Sequence, residues 1–153
     1  MDFIFLYFLI HHGVSAFQPL LSHRNGFFPL EMTKTKVVVI GNGMVGQRFM
    51  ENILDLDKDT QSISLATFCE ENRAAYNRVK LTSFFESRNP SDISMTGEYD
   101  THGKTAWYEE NNVEIFLNDK VVKIDTKSKT VEGESGRIVD YDIAVLATGS
   151  TRT

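Results

Sequence analysis

Lys36-Val37-Val38-Val39-Ile40-Gly41-Asn42-Gly43-Met44-Val45-Gly46 is the stretch that decides the fold. Four apolar residues, three of them valine, run straight into a G-x-G-x-x-G, and an amphipathic segment follows at once. A short all-apolar run predicts a strand buried on both faces, as in a parallel sheet. The three glycines carry separate tasks. Gly41 permits the tight turn off the strand, Gly43 lets a pyrophosphate approach the backbone, and Gly46 lets the following helix pack closely on the strand. The N-terminus of that helix then offers unpaired N–H groups and partial positive charge to phosphates. The motif sits between a strand and a helix, which is the context a dinucleotide site requires.

Working outward, Val45, Phe49, Met50, Ile53 and Leu54 recur at spacings of three and four, which predicts a helix from Met44 to about Leu56 with that face on the sheet. Gln47, Arg48, Glu51 and Asn52 fall on the opposite side. A polar loop over 55–60 returns the chain, and Ser62 to Cys69 reads as a second strand, completing a right-handed β-α-β unit. Glu70 stands at the tip of that strand, 24 positions after Gly46. A carboxylate there can accept both hydroxyls of a ribose. A solvated loop acid, at Glu70 or at Glu71, is the plain alternative. Cys69 reads as a small packed hydrophobe.

Further on, Asn89-Pro90-Ser91-Asp92 is a turn or helix-start signal, with 83–94 otherwise unassigned. Thr105 to Glu110 reads as a helix with Asn111-Asn112 as its C-cap, and His102 as part of a surface turn. Val113 to Leu117 reads as a third parallel strand. Lys120 to Asp125, Thr130 to Glu132 and Arg137 to Tyr141 alternate over short runs, as in an antiparallel meander. Ile143 to Ala147 returns as a buried parallel strand, with Thr148-Gly149 at its end. The fold class expected is therefore α/β, a Rossmann-like parallel sheet with a small antiparallel meander, over 35–153.

Composition narrows the function. The 153 residues carry a net charge of -5 with no basic block, which argues against nucleic-acid binding. The single cysteine, Cys69, excludes a disulfide framework, a four-cysteine zinc site, a self-contained iron–sulfur cluster or a C-x-x-C redox pair within these residues. No residue takes a catalytic or metal-ligating role.

Residues 1–34 read as a targeting presequence or an extension outside the fold. The apolar octet Phe3 to Ile10 suits a signal-peptide core and is too short for a membrane helix, which needs roughly 20 residues. Val14-Ser15-Ala16 offers a cleavage pattern before Phe17, and an acid-poor, transit-like stretch follows. The combination resembles the bipartite plastid presequences of algae with complex plastids. A mitochondrial presequence, or initiation at Met32 in the cytoplasm, remains open. At the other end the chain stops just after a strand with no closing helix, which reads as a truncated Rossmann domain.

Four motifs carry a family resemblance. Gly41 to Phe49, Phe68 to Glu71, Ala75 to Thr82 and Ala147 to Ser150 recur in order. Together they resemble the N-terminal flavin domain of the large subunit of NAD(P)H-dependent nitrite reductase. That subunit belongs to the two-dinucleotide-domain flavoproteins, with the pyridine nucleotide–disulfide, rubredoxin and ferredoxin reductases. The resemblance implies FAD held by Gly41, Gly43 and Gly46, with the intervening Asn42, Met44 and Val45. It implies Glu70 on the adenosine ribose, Arg78 on the pyrophosphate, backbone near Val121 or Val122 on the adenine, and Thr148-Gly149 beside the flavin. Many relatives carry a lysine where Ser83 stands here, and the C-x4-C pair of the disulfide reductases is absent, which disfavours disulfide reduction.

The function the resemblance implies is an FAD-binding segment of an NAD(P)H-dependent oxidoreductase in nitrate assimilation. NAD(P)H would bind beyond this chain, and an iron–sulfur cluster and sirohaem would belong to the full-length family. A homodimer of the full-length form stays open. The alternatives are a ferredoxin- or rubredoxin-type reductase, a dehydrogenase using the first motif for NAD, or a non-catalytic nucleotide-binding fragment. The unfinished sheet leads us to expect weak FAD retention by these residues in isolation.

Overall fold

The computed structural model describes residues 33–149. The presequence reading and the last residues, 150–153, lie outside the described residues.

Strand β1 (Thr35–Ile40) pairs in parallel with β2 (Ile63–Phe68) on one side and β7 (Ile143–Leu146) on the other. Beyond β2 lies β3 (Val113–Phe116), giving the order β3-β2-β1-β7. The β1 run is buried on both faces, as its unbroken apolar sequence requires. Val37 and Val39 pack with Leu65, Val113 and Ile115 on the face covered by α1 (Met44–Leu56) and α3 (Ala106–Glu110). Val38 and Ile40 point the other way, to Ala66, Phe68, Val131 and Tyr141. That second face is covered by the antiparallel meander β4 (Val121–Asp125), β5 (Thr130–Gly133) and β6 (Ile138–Asp140). Each fully buried Val, Phe or Met contributes about 1.5–3 kcal/mol relative to exposure.

Helix α1 has the expected bounds but a different inner face. Met50 and Gln47 are fully buried, whereas Val45 is 74% exposed. The rotation explains both. At about 100° per residue, Gly46, Gln47, Ile53 and Leu54 stand within about 60° of Met50, and Val45 about 140° away. Gly46 must face the strand, and this turns Val45 outward and brings Gln47 in.

A second difference concerns β7. It pairs with β1 as expected, but it is not a buried strand: Ile143 and Leu146 are exposed. As the outer strand it has a neighbour on one side only. The unassigned stretch contains a short helix, α2 (Leu81–Ser87), which ends at Arg88 in a left-handed conformation, φ 54°. The Asn-Pro signal is a true start: Asn89 Oδ1 accepts from Ser91 N–H at 3.1 Å, capping a 3-10 turn over Pro90–Ile93.

Asp57 closes α1 and anchors the start of β2. Its carboxylate accepts from Ser62 N–H (3.0 Å), Ile63 N–H (2.8 Å), Ser62 Oγ (2.6 Å) and the Thr60 hydroxyl. The Ser62 and Thr60 hydroxyls foremost, then the backbone donors, hold its carboxyl far below the usual carboxylate range. A depressed folded-state value gives stability that is present above the unfolded value, about 3.9, and is lost as pH falls below it. Asp57→Asn is therefore expected to lower the melting temperature at neutral pH, with the gap to wild type narrowing below about pH 4. Thermal melts at a series of pH values check this; a gap constant between neutral and acid pH contradicts it.

Candidate functional site: the glycine turn at the sheet edge

The turn from β1 into α1 is built by its glycines. Gly41 has φ +104°, and its N–H donates to Phe68 O at 3.0 Å. A Cβ there would lie 2.5 Å from Ala147 O, so both conformation and space call for glycine. A Cβ on Gly46 would overlap the Gly41 carbonyl oxygen, so this residue sets how closely α1 approaches the strand. Gly43 is different. It has ordinary extended backbone, φ -88°, and a Cβ there would meet no protein atom within 4 Å. The space beside it is open.

Gly43 is also the N-cap of α1, and no side chain caps that terminus. The first turn carries no acidic residue to offset its positive end. The N–H groups that open a helix have no intrahelical partner, and Gly43, with its open side, stands next to them as the N-cap. An anionic pyrophosphate is a suitable partner for such donors. The residues present fit a dinucleotide on these observations.

The neighbouring strand ends bring further groups to the same edge. Glu70 follows β2 two residues after Phe68, is exposed, and accepts from Lys120 Nζ at 3.0 Å. Glu71 instead accepts from Arg78 Nη2 at 2.8 Å, and the Arg78 guanidinium stands 5.8 Å from the centre of the Tyr76 ring. Val122 coincides with a break in the β4–β5 register, between the pairs Val121↔Gly133 and Lys123↔Glu132. Such a bulge leaves the extra residue out of the ladder, with backbone groups free for another partner. Ala147 N–H donates to Ile40 O at 2.8 Å, which brings Thr148-Gly149 alongside the turn; Gly149 has φ +73°. Gly41, Gly43, Glu70 and Thr148-Gly149 thus share the C-terminal edge of the parallel sheet, where open α/β sheets bind ligands.

Among the turn residues, Val45 lies exposed and Met44 half-buried. The Asn42 side chain is held inside the fold. It is buried and donates from Nδ2 to the Tyr108 hydroxyl at 2.8 Å, while its Oδ1 has no hydrogen-bond partner. Tyr108 and Gln47, which the sequence reading left out of the site, stand directly behind the turn. The available signal was the polar tip of Tyr108, since a buried tyrosine hydroxyl needs a partner. Cys69 is packed as expected: burial pushes its thiol up to about 11, which makes it unreactive. His102 sits in an exposed turn, also as expected. An open hollow of about 1130 Å³ lies between β3 and the loop over 99–105, with Tyr108 in its lining.

The family model for pyridine nucleotide-disulphide oxidoreductases matches residues 35–153. The chain belongs to this family. Within the pyridine nucleotide-disulphide oxidoreductases it is 35% identical over 119 residues to the large subunit of nitrite reductase (NADH) of Escherichia coli strain K12, covering 78% of this chain and 13% of that protein. It is 38% identical over 119 residues to nitrite reductase [NAD(P)H] of Bacillus subtilis strain 168, covering 78% of this chain and 14% of that protein. The chain thus spans 13–14% of the length of these curated relatives. Its fold matches the crystal structure of NADH:rubredoxin oxidoreductase from Clostridium acetobutylicum with a TM-score of 0.65 at 23% identity, over 79% of this chain and 29% of that one. The Rossmann-like sheet with its antiparallel meander is therefore the architecture of this reductase fold. Among the described residues no helix is long and apolar enough to cross a membrane.

Proposed function

We propose that this chain is the FAD-binding segment of an NAD(P)H-dependent flavoprotein, and that the whole protein is a nitrite reductase. One observation carries the reading: Gly43 leaves open space directly in front of an uncapped helix N-terminus. The likeness to two nitrite reductases narrows the reaction. FAD, when bound, supplies the conversion between two-electron hydride chemistry and single-electron transfer.

The chain's own residues bind and orient. N–H groups opening α1 receive the pyrophosphate, assisted by Arg78. Glu70 accepts the ribose hydroxyls, exchanging its contact with Lys120 for them. Backbone at Val122 meets the adenine, and Thr148-Gly149 lies beside the flavin. Iron–sulfur and sirohaem groups, and the NAD(P)H site, would be held by residues outside this chain. A plastid location is part of the same proposal and rests on the composition of 1–34.

Titrating FAD and NADH separately against the full-length protein tests the assignment. Glu70→Ala is expected to weaken FAD binding about ten- to hundredfold, the value of a charge-assisted hydrogen bond. Unchanged affinity removes Glu70 from the site, and saturable NADH binding at this turn in place of FAD overturns the cofactor assignment.

A further inference from the structure

A buried relay runs behind the glycine turn. Asn42 Nδ2 donates to the Tyr108 hydroxyl at 2.8 Å, and that hydroxyl donates to Gln47 Oε1 at 2.7 Å. Gln47 Nε2 donates to Glu51 Oε1 at 3.2 Å, and Arg48 pairs with the other carboxylate oxygen. Asn42, Gln47 and Tyr108 are at most 6% exposed.

The direction of the relay follows from its outer end. An ionised carboxylate only accepts, so Glu51 turns the Gln47 amide with Nε2 outward. Gln47 Oε1 then faces inward and requires a donor, which the Tyr108 hydroxyl supplies. The Tyr108 hydroxyl oxygen in turn accepts from Asn42 Nδ2. Burial holds the Tyr108 phenol neutral, up to about 12, so its proton stays in place for Gln47. One hydroxyl on α3 therefore fixes two amides, one within the glycine turn and one on the first turn of α1. The backbone bonds of the same region, Gly41 N–H to Phe68 O at 3.0 Å and Gln47 N–H to Gly43 O at 2.9 Å, bracket the segment so held.

We propose that Tyr108 is a positioning residue: through Asn42 and Gln47 it holds the glycine turn in its binding geometry before a ligand arrives. The identity of that ligand as FAD rests on the proposed function; the preorganisation does not. A donor array fixed in advance loses less freedom on binding. α3 is remote in sequence from the turn and touches it through this hydroxyl, so the position of α3 becomes a determinant of dinucleotide affinity.

Tyr108→Phe removes the hydroxyl and keeps the ring. In the full-length protein without ligand, hydrogen exchange in peptides spanning 40–48 is expected to rise about tenfold, with peptides covering β5 and β6 unchanged. FAD affinity is expected to fall about tenfold with it. Asn42→Ala cuts the relay at its other end and should reproduce the local pattern, and the double variant should be no worse than either single one. Exchange that is unchanged over 40–48, or raised equally in β5 and β6, overturns the proposal. Additive losses in the double variant also overturn it. Failure of the wild-type protein to bind FAD would instead sink the cofactor assignment, and the exchange pattern would still decide the role of Tyr108.

Discussion

Gly46→Val is expected to destabilise the fold by about 3 kcal/mol, the upper range for overpacking a tight contact. A Cβ at this position overlaps the carbonyl oxygen of Gly41 and comes to 3.4 Å from Val39 Cγ1. The obstruction is backbone, which cannot swing aside as a flexible side chain would. Relief requires α1 to lift from β1, and Met50, fully buried against Val37 and Val39, would lose its packing. The branch of valine adds further atoms to the same space. Urea denaturation measures the effect as a lower midpoint. A midpoint within about 0.5 kcal/mol of wild type, the range of neutral surface changes, would show that the helix has slack the geometry does not admit.

Gly43→Val should behave in the opposite way. The extended backbone of Gly43 accepts a β-branched residue, and its Cβ would meet no protein atom within 4 Å. The stability loss should stay near 1 kcal/mol, the cost of replacing a glycine N-cap by an apolar residue. FAD affinity should fall at least about a hundredfold, because the new side chain occupies the approach to the N–H groups of α1. Thermal melting and equilibrium FAD titration on one preparation separate the two effects. An affinity close to wild type would mean that the open space beside Gly43 is not where the pyrophosphate lies. On the expected outcome, two glycines three residues apart separate by role: Gly46 serves the fold and Gly43 the ligand.

Much of this arrangement was legible along the chain. Val37 to Ile40 is apolar at every position, and a strand buried on both faces has no other pattern. The alternation over 120–141 gave the meander its three short strands. The rotation of α1 was not legible, because a hydrophobic stripe including Val45 and one including Gln47 differ by a fraction of a turn. Gly46 decided between them by steric demand, and Gln47 is tolerated inside only because Tyr108 and Glu51 satisfy its amide. Glu51 is only four residues on, but local spacing carries no record of the contact with Tyr108, 61 residues away. The exposure of Ile143 and Leu146 was hidden for a related reason. Their apolar run resembles that of β1, and only the strand order shows that β7 is the outer strand.

Hydrogen exchange of the full-length protein with and without FAD tests the central claim most directly. The account predicts that added FAD protects backbone amides over 41–47, with smaller protection around Glu70 and Thr148. Protection confined to the hollow near Arg73, His102 and Lys104, with 41–47 unchanged, would contradict it.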